Sequence, residues 1–566
     1  MSALTRQADV SDAVARVLSS RGVGADGAEL FLHPTLKSLM PDPRAFAGMD
    51  GAVTRIVAAI RAGERIAIFG DYDVDGATSS ALLMRFFRAV GADVVTYIPD
   101  RRAEGYGPNE PALRKLHGEG VKLVITVDCG ITSFAPLEAV RGIGLDVIVV
   151  DHHKADATLP VAVAVVNPNR LDCTSHQGHL AAVGVAFLVV VAVNRALRDG
   201  GWYGDKVAEP DLRQWLDLVA LGTVCDVVPL SGLNRAFVVQ GLYVLARGGN
   251  VGLGALSKVA RIDSKPSAFH LGFLLGPRVN AGGRVGQADL GTRLLSTEDP
   301  DEAAALALRL DEFNAARKEI EAAVLRDAIE QVETKADPDD PIVFAIGADW
   351  HPGVIGIVAG RLKERYDRPA CVIALEAGMS KGSGRSIAGI DLGRAVIAAR
   401  EAGLLINGGG HAMAAGFTVA EEMLEAFCAF MQKAVREQRS GEPMLPRLSL
   451  DGAVAVSAVT TRMIEELECV APFGAGNEEP RFAVVDAEVV KVDVVGQGHV
   501  SCILTGRGGG RLKAIAFNSV DSELGLTLLR SVGSRLHFAG CIRANTWQGR
   551  TTAQLIIDDA AVPTGP

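Results

Sequence analysis

Three aspartates crowd a single seven-residue stretch, Gly70-Asp71-Tyr72-Asp73-Val74-Asp75-Gly76, between the apolar run RIAIF and the helix-forming run ATSSALLMRFF. Carboxylates this close repel one another unless cations neutralise them, and capping a helix N-terminus needs only one of them. The stretch therefore reads as a metal-binding turn. The theme recurs downstream: Asp128 closes the apolar run in ITVDCG, Asp151-His152-His153 closes the one in VIVVDHHK, and Asp226 follows the helical run DLVALGTVC. Taken alone, Asp226 is equally well a helix cap. Together the four segments supply enough carboxylates and imidazoles for two divalent ions. Oxygen-rich ligation with one or two imidazoles favours Mn²⁺ or Mg²⁺ over Zn²⁺.

The elements that must position these residues are legible around them. From Arg65 to Asp151 the runs RIAIFGDYD, ADVVTYIPD, KLVITVDCG and DVIVVDHH alternate with helical stretches. Apolar strands separated by helices predict a parallel sheet covered on both faces, and in such a sheet ligands bind beyond the carboxyl ends of the strands. Helical periodicity dominates from 180 to 221 and again from 300 to 333, where a long amphipathic run reads as a connector helix ending at ADPDDP. A second α/β segment runs from IVFAIGADW to about residue 440. A third, after Pro446, is rich in Val, Thr and Gly with short alternating runs, the pattern of a small β-barrel. The most apolar run, Leu180 to Val193, falls short of the roughly 20 residues that a membrane span needs and reads as a buried helix.

The chain has 566 residues, a formal charge of −10 and 48% hydrophobic residues, which excludes a disordered or fibrous protein. Its 63 glycines have no collagen-like period and point to tight turns and close backbone approaches. The eight cysteines lie far apart, as expected of a reducing, cytoplasmic protein without a zinc finger, and the N-terminus lacks the apolar core of a signal peptide. The net acidity argues against a chain-wide nucleic-acid-binding surface. Residues 481–566, however, carry nine Lys or Arg against seven Asp or Glu, so the rest of the chain holds a net −12.

GDYDVDG, VDCG, VDHHK, GSGRS and NGGGHAMAAGF, in this order, resemble the DHH phosphoesterase superfamily and, within it, the RecJ family of single-strand-specific 5′→3′ exonucleases. The resemblance runs from about residue 50 to about 560. It implies a phosphodiesterase that uses two divalent cations, Mn²⁺ or Mg²⁺, to release 5′-mononucleotides from single-stranded DNA in repair and recombination. By resemblance Asp128 bridges the ions, Asp73 and Asp75 each favour one, and His152 and Asp226 complete the set. Asp71 is a further ligand candidate, because Phe69 stands where some DHH enzymes place a metal-ligating histidine. His153 corresponds to the residue that contacts the scissile phosphate, as acid or hydrogen-bond donor, with support of His152 as the alternative role.

The same resemblance places Arg101, Ser383 and Arg385 in a 5′-phosphate pocket, although Asp100 stands where relatives often have Asn. Arg278 or Arg284, in GPRVNAGGR with Asn280, would contact phosphate nearer the metals. Arginines flanked by Gly and Ser are expected in turns. Gly409, Gly410 and His411 are expected to cradle phosphate, on a glycine turn opening onto a small-residue helix. Phe517 and Trp547 could offer stacking faces on the barrel, although two aromatics in a barrel more often belong to its core.

The expected architecture is α/β: a lead-in over 1–50, a DHH parallel-sheet domain over 51–290, a connector helix over 291–338, a smaller DHH-associated α/β domain over 339–445, and an OB-like β-barrel over 446–566. The expected partner is single-stranded DNA with a 5′ end, delivered by a helicase and a single-strand-binding protein to a cytoplasmic monomer that touches no membrane. Two other readings compete. A DHH phosphodiesterase of oligoribonucleotides or small nucleotides would be shorter and lack the barrel. A non-catalytic replication scaffold would have lost the acidic and histidine motifs, which are intact here.

Overall fold

The computed structural model describes residues 2–7, 9–100, 104–335, 337, 339–376, 378–439 and 447–563. They form two compact units, one comprising Met1–Tyr97, Tyr106–Gly276 and Pro446–Pro566, the other Ile98–Gly105 and Pro277–Leu445.

In the first unit, strands β1 (Arg65–Gly70), β2 (Val94–Tyr97), β3 (Val121–Val127), β4 (Asp146–Val150) and β5 (Ala164–Val166) form a sheet in the order β2-β1-β3-β4-β5. All pairings are parallel, as the continuous apolar strands require. The fifth strand, from the run VAVAVVN, is an addition to the four that the sequence suggests. Its register decides where the chemistry falls: Gly70 pairs with Val127, Val127 with Val150, and Val150 with Val166. The next residue on each strand is Asp71, Asp128, Asp151 and Asn167, so the polar residues form one row along the carboxyl edge. Phe69, buried and stacked on Tyr97 at 5.2 Å, belongs to the core beneath this row.

The second unit carries strands β6 (Val343–Ala348), β7 (Ala370–Leu375), β8 (Met379–Arg385), β9 (Asn407–His411) and β10 (Ala414–Ala420), ordered β6-β7-β8-β10-β9. Only β6 and β7 pair in parallel; the others are antiparallel. The long helix Pro300–Lys335 packs Val324, Ala328 and Val332 into one core with Ile355, Val358 and Leu362 of the helix Ile355–Tyr366. Three local expectations are corrected. GSGR lies in strand β8 and NGGGH is strand β9, followed by strand β10 rather than a helix. Glycine is needed in β8 because its inward face has no room: a Cβ at Gly382 would lie 2.0 Å from the Phe417 ring. GPRVNAGGR is likewise no turn, being helical over Gly276–Val285.

Besides its helices, the first unit also carries a barrel of β11 (Gly452–Val454), β12 (Arg481–Val495), β13 (His499–Gly506), β14 (Gly509–Ala516), β15 (Arg535–Trp547) and β16 (Arg550–Ala561). Pairing of β12 with β15 closes the ring, with β11 added in parallel to β12. The barrel is not made by the C-terminal segment alone. Val14, Val17 and Leu18 of the helix Asp12–Ser20 and Ala28 of the helix Ala25–Leu32 share one buried cluster with Phe482, Leu504, Phe538 and Leu555.

Candidate metal centre and phosphate cleft

The turn after β1 is shaped by Asp73, whose side chain accepts from the Gly76 N–H at 3.0 Å and caps the helix Val74–Ala89. A Cβ at Gly76 would lie 2.5 Å from the Asp71 carbonyl oxygen, so only glycine lets the turn close. Asp75 is buried at 1% exposure, and its carboxylate accepts from the Ala182 and Val183 N–H groups at 2.6 and 2.9 Å. These donors open the helix Ala182–Asp199, whose N-terminus favours the negative charge.

Three overlapping groups of ligand atoms gather here, each within 4.8 Å: Asp71, Asp73 and Asp128; Asp75, His152 and Asp226; and Asp128, His152 and His153. Burial raises the pKa of Asp75 to about 7 and of Asp226 to about 9, each reinforced by the neighbouring aspartates. Asp128 is likewise pushed well above the usual carboxylate range by burial and by Asp73 and Asp75. Such a set cannot ionise fully without positive charge in its midst.

The two histidines are held differently. His152 Nδ1 lies 3.0 Å from the Leu180 carbonyl, which can only accept, so Nδ1 carries the proton and Nε2 keeps its lone pair. That Nε2 sits 3.3 Å from Asp128 Oδ1, and it and Asp226 Oδ2 are buried with no hydrogen-bond partner among the described residues. Burial lowers the His152 pKa to about 4, keeping the ring neutral as a ligand must be. His153 instead donates Nδ1–H to Asp151 Oδ1 at 2.7 Å. Burial opposes its charge, but the bond and charge of Asp151 outweigh that and raise its pKa to about 9.

Asp151 itself is no member of the ligand groups. Its oxygens accept from the His152, His153 and Ile131 backbone N–H groups at 2.7, 3.1 and 3.0 Å, so it fixes the backbone of both histidines and the ring of His153. Sequence reasoning missed three other residues at this edge. Asn167 and Asn169 donate to the His153 and His152 carbonyls at 2.9 and 2.6 Å. Tyr106 donates its hydroxyl to the Asp128 carbonyl at 2.9 Å, bracing a residue in the left-handed region at φ 59°. The asparagines carried a readable signal, because VVNPNR ends an apolar run in polar residues as the other strands do.

In the second unit a cleft of about 380 Å³ is lined by Arg284, Ser383, Arg385 and Gly409. Arg385 Nη1 donates to Ser383 Oγ at 3.3 Å, and Arg284 Nη1 to the Gly353 carbonyl at 3.0 Å. Arg278 instead pairs its Nε with Asp311 on the long helix at 2.8 Å. Asn280 lies half-buried on the helix Gly276–Val285. Gly410 and His411 are exposed at the end of β9, and Arg101 lies outside the described residues. On the barrel, Phe517 and Trp547 are 51% and 72% exposed, so neither is core, and Arg511 and Lys513 face outward from β14.

A parallel sheet whose carboxyl edge gathers aspartates and a DHH pair defines a DHH-type phosphoesterase site. Residues 65–223 match the DHH family, N-terminal domain; 339–437 match the DHHA1 domain; and 450–559 match the RecJ OB domain. The chain belongs to the RecJ family. It is 37% identical to the single-stranded-DNA-specific exonuclease RecJ of Bacillus subtilis, over 99% of this chain and 69% of that one. To the Escherichia coli protein of the same name it is 36% identical over 98% of this chain and 96% of that one. Its fold matches the crystal structure of Thermus thermophilus RecJ in complex with Mn²⁺, with a TM-score of 0.82 and 31% identity, over 99% of this chain and 78% of that one.

Proposed function

We propose that this protein is a metal-dependent exonuclease that degrades single-stranded DNA from the 5′ end and releases 5′-mononucleotides. The observation that carries the reading is the row of acidic and imidazole ligands at one sheet edge, with buried Nε2 of His152 and Oδ2 of Asp226 lacking any hydrogen-bond partner among the described residues. Asp71, Asp73, Asp75, Asp128, His152 and Asp226 would hold two divalent cations, Asp128 being common to two of the three ligand groups. Mn²⁺ or Mg²⁺ would supply an activated water and neutralise charge developing on the phosphate. The chain's own work is to orient and to donate: Asp151 accepts from His153 Nδ1–H and holds the ring in its charged form, with a pKa of about 9, so the half-exposed opposite edge of the ring also carries a proton to donate to a phosphate oxygen.

The 5′ polarity is supported by the cleft of the second unit, where Ser383 and Arg385 suit a terminal phosphate and Arg284 adds a second fork. The barrel supports the single-strand reading, because it exposes Phe517 and Trp547 as stacking faces and Arg511 and Lys513 as cations. Phe269 and Phe273, stacked at 5.1 Å and exposed, add a stacking surface on the π-helical turn His270–Leu275. That turn packs on the helix Leu216–Cys225, which ends at Asp226. We place the enzyme in the cytoplasm as a monomer, with a helicase and a single-strand-binding protein presenting its substrate. All eight cysteines are free, as a reducing compartment would leave them, and no helix among the described residues is long and apolar enough to cross a membrane.

Purified protein with Mn²⁺ and end-labelled single strands of DNA and RNA tests the reading. Mononucleotides should leave the 5′ end of DNA first, and Asp128→Ala should abolish release while retaining strand binding. Release from the 3′ end, or equal loss of RNA, would refute it.

A further inference from the structure

We infer that the cleft of the second unit holds a second anion subsite, the row Lys381–Thr418–Asn407, which takes the outer phosphates of a 5′-polyphosphorylated end. The inference rests on reading Ser383 and Arg385 as the pocket for the 5′-phosphate.

Strand β8 alternates along its length: Ser380, Gly382 and Gly384 are buried, while Lys381, Ser383 and Arg385 face the other side and line the cleft. The register carries this face across two more strands. Lys381 pairs with Thr418 and Thr418 with Asn407; Ser383 pairs with Gly416 and Gly416 with Gly409; Arg385 pairs with Ala414 and Ala414 with His411. Directly paired residues point to the same face. The middle row is therefore nearly bare, since the Cβ positions of Gly409 and Gly416 meet nothing within 4 Å. A smooth floor joins the Ser383 row to the Lys381 row, two residues or about 7 Å further along the strand.

Charge decides what that floor accepts. Arg284, Lys381 and Arg385 line the cleft and no carboxylate does, so three like charges share it. Lys381 makes no ion pair or hydrogen bond among the described residues, and Thr418 and Asn407 beside it bring a hydroxyl and an amide. One terminal phosphate, seated by Ser383 and the Arg385 fork, leaves the lysine unused. A chain of phosphates extending from it over the glycines brings its outer oxygens to the ammonium, a compact point charge that tolerates varied orientation. The ligand class is thus a nucleoside 5′-polyphosphate, carried either on a strand end or free in solution; we commit to the strand end.

The test compares kcat/KM of the full-length protein with Mn²⁺ on one DNA oligonucleotide bearing a 5′-hydroxyl, a 5′-monophosphate or a 5′-triphosphate. The wild type is expected to accept the triphosphate at least as well as the monophosphate. Lys381→Met should lower the triphosphate-to-monophosphate ratio about tenfold, and Lys381→Arg should restore most of it. Inorganic tripolyphosphate, added as competitor, separates the sources. Inhibition of the wild type but not of Lys381→Met would mean that free polyphosphate also binds there. An unchanged ratio in Lys381→Met, or a wild type that rejects the triphosphate end, overturns the inference. Failure of the underlying reading is seen separately, as a wild type that does not distinguish monophosphate from hydroxyl.

Discussion

Asp151 carries its motif's first letter yet sits where it touches three backbone N–H groups and one imidazole, leaving the ligand groups to its neighbours. Hydrogen bonding from His153 pulls its pKa down against the opposing effect of burial, so it stays an acceptor. Asp151→Asn keeps the volume but puts an N–H donor where acceptors are needed. We expect kcat at saturating Mn²⁺ to fall about 10–100-fold, the usual effect of losing a group that orients a ligand. Steady-state kinetics on labelled single strands would check this, and a kcat within twofold of wild type would contradict it. The residue types at this edge were legible in the sequence because acids and imidazoles closing apolar strands have few other uses. Asn167 and Asn169 were only half legible, since they close an apolar run as the acids do but bear no charge, and Tyr106 was not, because tyrosine is an ordinary loop residue until the fold brings it to a carbonyl.

Among the elements, the parallel sheet was the most readable, since strands covered on both faces are apolar throughout. The glycine-rich strands β8 and β9 were the least. Glycine there reflects tight packing against Phe417 on one face and an open cleft floor on the other, and neither leaves a local pattern. The apolar helix Leu216–Cys225 hides a second misfit, Asp217, which is fully buried. One oxygen accepts from the Leu218 N–H at 2.8 Å, while the other has no hydrogen-bond partner among the described residues. Burial lifts its pKa to about 7 against an ordinary 3.8, although the positive charge of Arg85 opposes this. Because the folded value lies above the unfolded one, stability is greatest while Asp217 is protonated. It falls as pH rises from about 4 to about 7 and is level above that, by about 4 kcal/mol in all. Asp217→Asn removes the charge, so its advantage over wild type in urea melts should grow between pH 5 and 7 and then stop growing. An advantage independent of pH would show that Asp217 is not the group responsible.

At the scale of the whole chain, the average charge of −10 conceals a metal-binding edge that needs acids and a C-terminal segment that is mildly basic. The N-terminal helices were opaque in the sequence because the core they complete lies more than 400 residues away, in the barrel. One residue ties these parts of the first unit together. Arg235, on the helix Gly232–Ala246, is 1% exposed and has its guanidinium 4.0 Å from the Phe31 ring centroid. It donates to the Phe31 carbonyl at 2.7 Å and to those of Val470 and Ala471 at 3.1 and 2.7 Å, and no carboxylate pairs with it among the described residues. Burial pulls its pKa down to about 10, the mark of a charge held at a cost. Two substitutions separate the cost of that charge from the value of its fork. Arg235→Met discards both: it forfeits the donors to Phe31 and Ala471, worth about 1–3 kcal/mol each, while Val470 keeps its bond from Asn477. The relief of removing a buried charge offsets much of this. Arg235→Lys keeps the charge but cannot reach three carbonyls from one point, leaving a buried ammonium poorly satisfied. Lysine should therefore destabilise more than methionine, by about 2 kcal/mol or more in urea unfolding. In both variants, amide exchange should rise selectively in Asp12–Leu32 and around residues 470–477. The reverse order of stability would mean that the charge, rather than the fork, is what this junction needs.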